Sequence, residues 1–409
     1  MFFRSDPTLS ERRGKSSFLL LYFGFQFFFS LLLWLPVFYD FQRARGLSPA
    51  QIFTIQSIYF VSFCVFEIPA GYFADRLGRR LAMRLGAAML AAVNLIPVFW
   101  GTSAAFLFFF LGVALARSLV TTAASAYLYD HLSTKSLLQE YKRAEGHARA
   151  YSLLGRVAGW AGIGFAMRLD FTSPFWLTAL CALAAAFLAW KLPEDPMISR
   201  EDSLSEEWSA IRVMKLALHE PFLILVMLEG ILVFVLDRTL QIHLFQPVLH
   251  ERSFALESYG IVMAGMTLVE AAGTYLSGLR RESERDPHSI LAAIGVMALC
   301  MAGVGISKRI GTLIALGVYA VATGFVFPVQ RKLVNDGIPD AKYRATFLAI
   351  ESFMDRLVCA WVVSYLGAVV SGGKIMLFLE GAAIASWVAC ALFYGITRAV
   401  KTRAKWLEA

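Results

Sequence analysis

Long apolar runs alternate with short polar segments along almost the whole chain. A run of about 20 apolar residues is long enough to cross a bilayer as an α-helix. The pattern predicts twelve such spans, at residues 18–39, 50–72, 85–102, 104–128, 150–167, 173–190, 221–247, 258–279, 289–306, 310–330, 346–370 and 375–397. The chain is therefore predicted to be an all-α membrane protein.

The longest polar stretch, residues 191–220, divides the spans into six and six. This predicts two six-helix bundles, 1–190 and 221–409, joined by a cytoplasmic linker loop, with a cytoplasmic tail after the second. Ser203 and Glu206 in the linker have capping-box spacing, which predicts a helix from Ser203 to Leu218. Two related halves around a midplane site are typical of a secondary transporter, but the count alone also fits a channel or a membrane-embedded enzyme.

Basic residues are distributed unevenly between the two sides of the predicted membrane. If both termini are cytoplasmic, most of the 38 Lys and Arg residues fall in inside segments, as basic residues in short loops generally do. Basic inner loops facing anionic lipid then account for the net charge of +8 without a nucleic-acid partner. We expect a multi-pass membrane protein with both termini cytoplasmic, and we expect its first span to be retained rather than cleaved.

The cysteines and histidines do not suggest a metal or cofactor. All 5 cysteines fall inside predicted spans, where they are expected to act as small packing residues, and the 6 histidines are scattered. No Ser/His/Asp arrangement, metal-ligand set or nucleotide-binding P-loop is visible in the sequence. We therefore expect neither an enzyme nor an ATP-driven pump.

The loop between spans 2 and 3 reads Gly-Tyr-Phe-Ala-Asp-Arg-Leu-Gly-Arg-Arg and resembles the loop motif of the major facilitator superfamily, G-x-x-x-D-R-x-G-R-R/K. Its defining positions are filled by Gly71, Asp75, Arg76, Gly78, Arg79 and Arg80. The resemblance implies a twelve-helix secondary transporter. It also implies that Asp75 meets the positive end of a helix of the other half and closes the cytoplasmic side, supported by Arg76 and Arg79. The alternative is a turn that only fixes topology.

The matching loop of the second half, 278–285, keeps a glycine and mixed charges but not the motif order.

Weaker motifs point to the drug-exporter-like bacterial members, which are drug:proton antiporters. Arg117 in span 4 fits a family position for proton coupling, although Val120 and Thr121 stand where the family motif has Gln and Gly. Span 5 and its lead-in carry glycines spaced like the antiporter motif, with Trp160 at the proline position; close helix packing explains them equally well. These glycines are Gly146, Gly155, Gly159 and Gly164. Two further stretches resemble the same branch, Phe66–Gly71 and Tyr127–Asp130. The resemblance implies a protein of a bacterial inner membrane, which we expect to be a monomer.

Acidic residues outnumber basic residues inside the predicted spans. The acids are Glu67, Glu229, Asp237, Glu270, Glu351, Asp355 and Glu380, and the bases are Arg117, Arg156, Arg238 and Arg356. Buried carboxyls without partners tend to bind protons, so the excess favours proton coupling or a cationic substrate over an anion carrier. Glu67, Glu229 and Glu270 are the candidate proton carriers, together with Arg117 as a coupling residue.

The remaining charges are expected to form a network or to contact substrate. Asp237-Arg238 and Asp355-Arg356 are adjacent pairs, and neighbours on a helix point about 100° apart. We therefore expect cross-helix pairing, Asp237 with Arg356 or Asp355 with Arg238, with direct substrate contact as the alternative. Glu351 is assigned to the cytoplasmic gate, and Arg156 remains a network candidate. In the aromatic span 1, Tyr22 and Gln26 are the best candidates for side chains that face a cavity.

Together these features predict a proton-coupled exporter of a small amphipathic compound, with a cationic compound compatible with the acidic excess. Its expected partners are that small-molecule substrate, protons and the lipid bilayer. An uptake symporter with the same fold would also use buried acids. A lipid flippase on the same scaffold is a further alternative.

Overall fold

A computed structural model describes residues 9–134, 138–195, 221–279, 286–338 and 344–407. Those ranges are almost entirely helical and contain no strand. The α-helices are α1 Leu9–Phe29, α2 Phe38–Ala44, α3 Pro49–Leu77, α4 Arg79–Asn94, α5 Ile96–Phe99, α6 Ser103–Thr134, α7 Tyr141–Leu169, α8 Ser173–Lys191, α9 Pro221–Asp237, α10 Phe245–Glu251, α11 Leu256–Leu279, α12 Asp286–Ile306, α13 Arg309–Gly337, α14 Arg344–Ser371 and α15 Ile375–Leu407. The helix predicted from Ser203 to Leu218 lies outside the described residues.

Every predicted span is largely helical in the structure. Eight helices of the described part are long and apolar enough to cross a membrane. The other four spans correspond to α1, α7, α9 with α10, and α11, which are shorter, more polar or interrupted. An all-helical membrane fold is therefore confirmed.

Span 1 is not the single continuous helix that its apolar run predicted. Helix α1 ends at Phe29, and a short 3-10 turn, Leu35–Val37, precedes α2. Side chains from later helices satisfy the freed backbone: Trp160 Nε1 donates to the Leu32 carbonyl at 3.0 Å, and Leu33 N donates to Thr178 Oγ1 at 3.0 Å. Such partners remove most of the cost of breaking a helix inside a membrane.

Span 7 is also interrupted, by a change of helix type. Helix α9 ends at Asp237, a π-helical segment covers Arg238–His243, and α10 follows. π-Helical turns are rare and occur frequently at functional sites. The interruption falls on the adjacent charged pair Asp237-Arg238.

The described helices pack into two compact units. The first comprises 1–35 and 62–203, and in it α4 packs against α6 and α8 while α1 packs against α7 and α8. The second comprises 36–61 and 204–409, so α2 and the first part of α3 belong to it. There α13 packs against α11 and α12, and α9 packs against α13 and α14.

Two glycines bring α11 and α13 together at backbone distance. A Cβ on Gly273 would collide with the Val321 carbonyl oxygen, and a Cβ on Gly324 would collide with the Glu270 carbonyl oxygen. Small residues of this kind allow membrane helices to pack closely in the absence of a hydrophobic driving force.

Candidate functional site

The loop motif forms a tight turn between α3 and α4. Gly78 has φ +107°, a conformation that side chains disfavour, and α4 begins at the next residue. Asp195, which follows α8, accepts from the Arg80 backbone N–H at 3.1 Å and so caps the first turn of α4. A Cβ on Gly78 would lie 2.6 Å from the Asp195 carboxylate, so glycine leaves room for this cap.

The motif arginines tie this turn to neighbouring helices of the same unit. Arg79 forms an ion pair with Asp130 and donates to the Ala126 carbonyl on α6 at 2.9 Å. Arg80 and Arg84 each donate to the Trp190 carbonyl at the end of α8 at 2.8 Å. The positive charges therefore also satisfy carbonyl groups at a helix C-terminus.

Asp75 is the acidic residue of this turn, and its side chain points away from the packed helices. Its carboxylate is 3.6 Å from Arg79, four residues farther along and across the Gly78 turn, and its side chain is 64% exposed. The contact between Asp75 and a helix of the other half remains a prediction.

Sequence reasoning did not identify Asp195 or Asp130 as part of the motif. Asp195 lies 115 residues from Arg80, in a stretch that reads as an ordinary polar linker. Asp130 belongs to Tyr127–Asp130, which carried only a weak family resemblance. The one local signal was the unusual density of arginine between residues 76 and 84.

Tyr22 and Gln26 lie on one face of α1, as their spacing predicted. Tyr22 is fully buried, its hydroxyl donates to the Ala124 carbonyl at 3.2 Å, and the Gln26 amide donates to that hydroxyl at 3.0 Å. Glu145 on α7 lies 3.4 Å from the same hydroxyl. The pair thus forms part of a polar link between α1, α6 and α7, and its contact with substrate remains a prediction.

Four further candidates are half-buried and stand on separate helices. Glu67 lies on α3, Arg117 on α6 and Glu270 on α11. Arg156 lies on α7, with its guanidinium 5.7 Å from the centre of the Trp160 ring, a cation–π distance.

Glu229 has the most unusual surroundings of all the predicted site residues. Its side chain is 1% exposed, and neither carboxyl oxygen has a hydrogen-bond partner within the described part of the chain. Cys390 of α15 lies within electrostatic range. Because an unpaired buried carboxylate is costly, this residue is the strongest candidate for proton binding.

Glu351, on α14, differs sharply from Glu229 although both are buried. It accepts from Gln330 Nε2 at 2.6 Å and from Arg331 at 3.1 Å, both on α13. The charge is therefore neutralised by a neighbouring helix, and the assignment of this residue to the cytoplasmic gate remains a prediction.

The cross-helix pairing expected for the two adjacent acid-base pairs remains a prediction. Asp237 lies 3.8 Å from its own neighbour Arg238 and accepts from Gln241 at 2.6 Å. The backbone changes from α to π at Arg238, so the ideal angle between neighbours does not apply there. Asp355 lies within electrostatic range of both Arg238 and Arg356, and its Oδ1 has no hydrogen-bond partner among the described residues.

The π-helical segment gathers further buried polar groups that sequence reasoning missed. His243 hydrogen-bonds Gln56 of α3, and Thr239 is buried without a partner for its hydroxyl in the described part of the chain. The hydroxyl of Tyr319 on α13, near Asp237, is also buried without a hydrogen-bond partner among the described residues. The second unit therefore holds a cluster of hydrogen-bonding groups at membrane depth, which is chemistry suited to binding a polar solute or a proton.

Comparison with known proteins gives the family of this fold. The family model described as Major Facilitator Superfamily matches residues 15–363. The sequence itself matches no curated protein.

Solved transporter structures share the fold at low sequence identity. A mutant of the nucleoside transporter NupG superposes with a TM-score of 0.79 at 14% identity, covering 92% of this chain and 99% of that chain. A D-xylose-proton symporter gives 0.70 at 14% identity, covering 93% and 97%. A bacterial homolog of the human lysosomal transporter Spinster gives 0.70 at 15% identity, covering 96% and 98%. With a family match over most of its length and this fold, the chain belongs to the major facilitator superfamily.

Proposed function

We propose that this chain is a proton-coupled secondary transporter that exports a small amphipathic compound, with Glu229 as its principal proton-binding residue. The observation that carries the proposal is the burial of Glu229 without a partner for either carboxyl oxygen in the described part of the chain. Ionising such a group costs free energy unless a cation or donor approaches. A proton bound there in one state and released in another would link transport to the proton gradient.

The charge balance of the second unit also bears on the substrate. Glu351 and Asp237 are already paired with arginines. Of the acids in the predicted spans of this unit, Glu229 and Asp355 have buried oxygens without a hydrogen-bond partner in the described part of the chain. A compound with a polar or cationic group and an apolar body would suit such surroundings.

The test compares Glu229→Gln with wild type in inverted vesicles. We expect the substitution to abolish accumulation driven by a pH gradient while sparing substrate exchange, which needs no net proton movement. Glu380→Gln is the matched control, because Glu380 also lies in a predicted span but is only partly buried. Gradient-driven accumulation that persists in Glu229→Gln would move proton carriage to another acid, such as Glu67, Glu270 or Asp355.

An uptake symporter is the second candidate. The fold is shared with a D-xylose-proton symporter, and buried acids serve either direction equally well. Vesicle orientation separates the two: an exporter loads inverted vesicles when protons are inside, whereas a symporter loads right-side-out vesicles when protons are outside. Movement of a labelled lipid in liposomes would instead indicate a flippase.

We place the chain in a bacterial inner membrane as a monomer with cytoplasmic termini. This orientation rests on the excess of basic residues in the segments assigned to the inside. It puts the loop motif, Gly71–Arg80, on the cytoplasmic side and residues 40–49 on the outside.

A further inference from the structure

Residues 36–61 are held in the second unit by hydrogen bonds to α10 and α14, and we refer to this packing as the contact. The backbone N–H groups of Tyr39 and Asp40 both donate to Gln246 Oε1 of α10, at 2.8 and 3.3 Å. Farther along α3, Ser57 donates to the Ala360 carbonyl of α14 at 2.7 Å. We call residues 36–61 the outer segment, because the distribution of basic residues predicts that its polar end faces outside.

The carboxyl group of Asp40 lies at the polar end of this contact. Its Oδ1 is 3.8 Å from His250 Nδ1, and its buried Oδ2 has no hydrogen-bond partner among the described residues. The side chain of Asp40 is only 16% exposed, whereas that of His250 is 74% exposed. The contact thus encloses the Asp40 carboxyl group, whereas the His250 side chain remains open to water.

Several other charged or titratable groups surround Asp40. Arg43 lies on the same helix, and the Tyr259 hydroxyl of α11 hydrogen-bonds the carboxylate. Tyr39 and Glu251 lie on the two sides of the contact. Burial raises the pKa of Asp40 to about 6, although His250, Arg43 and Tyr259 act to lower it. Burial also raises the pKa of Glu251, against the effect of Arg252 and His250.

The interior of the same contact is polar and incompletely hydrogen-bonded. Both polar atoms of the Gln42 side chain are buried without a partner in the described part of the chain, as are Gln56 Nε2 and His243 Nε2. Unsatisfied buried groups of this kind each cost free energy that water would recover. Hydration of these groups on separation offsets part of the free energy that the contact gains when it is closed, so one added or removed charge shifts the balance between the two.

We propose that Asp40 is a proton-binding site, and that a proton bound there holds the outer segment onto α10 and α11. When the segment is released, Asp40 is hydrated and ionised. When the segment docks, the enclosed carboxyl favours the protonated form. Docking therefore takes up one proton from the outside medium.

The sign of the pH effect follows from the two protonation states. Asp40 has a pKa of about 6 in the docked segment, against an ordinary value of 3.8. Docking is thus favoured as the pH falls below about 6, and it loses that stabilisation as the pH rises through 6. From these two values the docking equilibrium should be about tenfold more favourable at pH 5 than at pH 7.

The inference rests on the proposed proton coupling and adds a second site to it. An exporter driven by an inward proton gradient must accept a proton from outside before that side closes. Asp40 is placed to do so at the polar end of the outer segment, whereas Glu229 is enclosed within the helices.

The experiment measures access to the contact with a thiol reagent in nanodiscs. The full-length chain is first freed of its native cysteines, Cys64, Cys181, Cys300, Cys359 and Cys390. One variant then carries Ile52→Cys, at a fully buried position of the outer segment, and a second carries Gln51→Cys, at the exposed neighbouring position. The ratio of the two maleimide labelling rates cancels the intrinsic pH dependence of the thiol reaction.

We expect this ratio to be about tenfold lower at pH 5 than at pH 7. Asp40→Asn should make the ratio independent of pH. His250→Gln should keep the dependence but move its midpoint to higher pH, since it removes a group that lowers the pKa of Asp40. This second variant also keeps the proposal testable if Asp40→Asn does not fold.

A ratio that does not change with pH in the otherwise unaltered protein would overturn the proposal, as would an unchanged pH profile in Asp40→Asn. Neither result depends on transport. If labelling is independent of pH while a protonophore still abolishes accumulation, the Asp40 site is wrong and proton coupling stands. If labelling follows the prediction while the protonophore has no effect, the proposed coupling is wrong and the Asp40 site stands.

Discussion

At the scale of single residues, the charges of the membrane region fall into two groups that their sequence positions do not distinguish. Glu229 and Glu351 are both acids in apolar spans, yet Glu351 is hydrogen-bonded to Gln330 and Arg331, and Glu229 is enclosed without a partner in the described part of the chain. The difference arises from which helix each residue faces. The excess of acids was predictable from the sequence, and Glu229 was one of three candidate proton carriers. Its enclosure without a partner among the described residues could not be read from its sequence position.

The helix cap supplied by Asp195 gives a prediction at this scale. Asp195→Ala should destabilise the folded protein by about 1 kcal/mol, because it removes the acceptor for the Arg80 backbone N–H at the start of α4. Thermal unfolding of the purified protein measures the change. The matched control is Glu194→Ala, whose side chain is 94% exposed and lies 3.9 Å from Arg80; it should have little effect. Equal stability of the two variants would show that the cap contributes nothing.

A second residue-scale prediction concerns Arg117. Arg117→Ala should lower protein yield or transport, because a charged side chain at membrane depth is kept only when it has a partner or reaches water. Arg117→Lys should restore function only in part, since an ammonium does not reproduce the planar hydrogen-bonding of a guanidinium. Yield from membranes and transport rate are the measurements. A fully active Ala variant would exclude a coupling role.

At the scale of helices, apolar run length predicted where each span lies but not where a helix breaks. The run containing Leu31, Leu32 and Leu33 reads as helix, yet the chain leaves the helical path there because Trp160 and Thr178 bind its backbone. Those partners lie 128 and 145 residues away in sequence. The π-helical segment Arg238–His243 could not be predicted either, because its composition is that of an ordinary polar helix end.

The close packing of α11 against α13 gives a prediction at this scale. Gly273→Ala should strongly reduce the amount of folded protein, because the new methyl group would meet the Val321 carbonyl of the facing backbone. Gly265→Ala on the same helix is the control, since nothing lies within 4 Å of its added carbon. Size-exclusion profiles and melting temperatures compare the two. If both variants behave alike, the helices do not depend on this contact.

At the scale of the whole molecule, the family and the fold make this chain a transporter built from twelve membrane helices, and not an enzyme. The loop motif from Gly71 to Arg80 was the sequence feature that identified the family most specifically. Its sequence predicted the turn at Gly78, whereas its anchoring to α6 and α8 depends on tertiary contacts. The polar cluster around the π-helical segment was not predictable, because it is assembled from distant parts of the chain.

The acid of the loop motif gives a prediction about the conformational cycle. Asp75→Asn should weaken closure of the cytoplasmic side, raising the inward-open population and lowering the transport rate, while folding stays intact because Asp75 is largely exposed. Accessibility of cysteines introduced near the predicted cytoplasmic ends of the helices measures the population. Asp75→Glu keeps the charge and is the control. Wild-type transport together with unchanged accessibility in Asp75→Asn would contradict the role.

The most direct test of proton coupling uses the wild-type protein in proteoliposomes. A thermal-shift screen of purified protein against a chemically varied library first supplies a transported compound. Its accumulation is then followed under an imposed pH gradient, with and without a protonophore. We predict uphill accumulation that follows the gradient and collapses when the protonophore is added. Accumulation unaffected by the protonophore, or transport that only equalises concentrations, would contradict proton coupling.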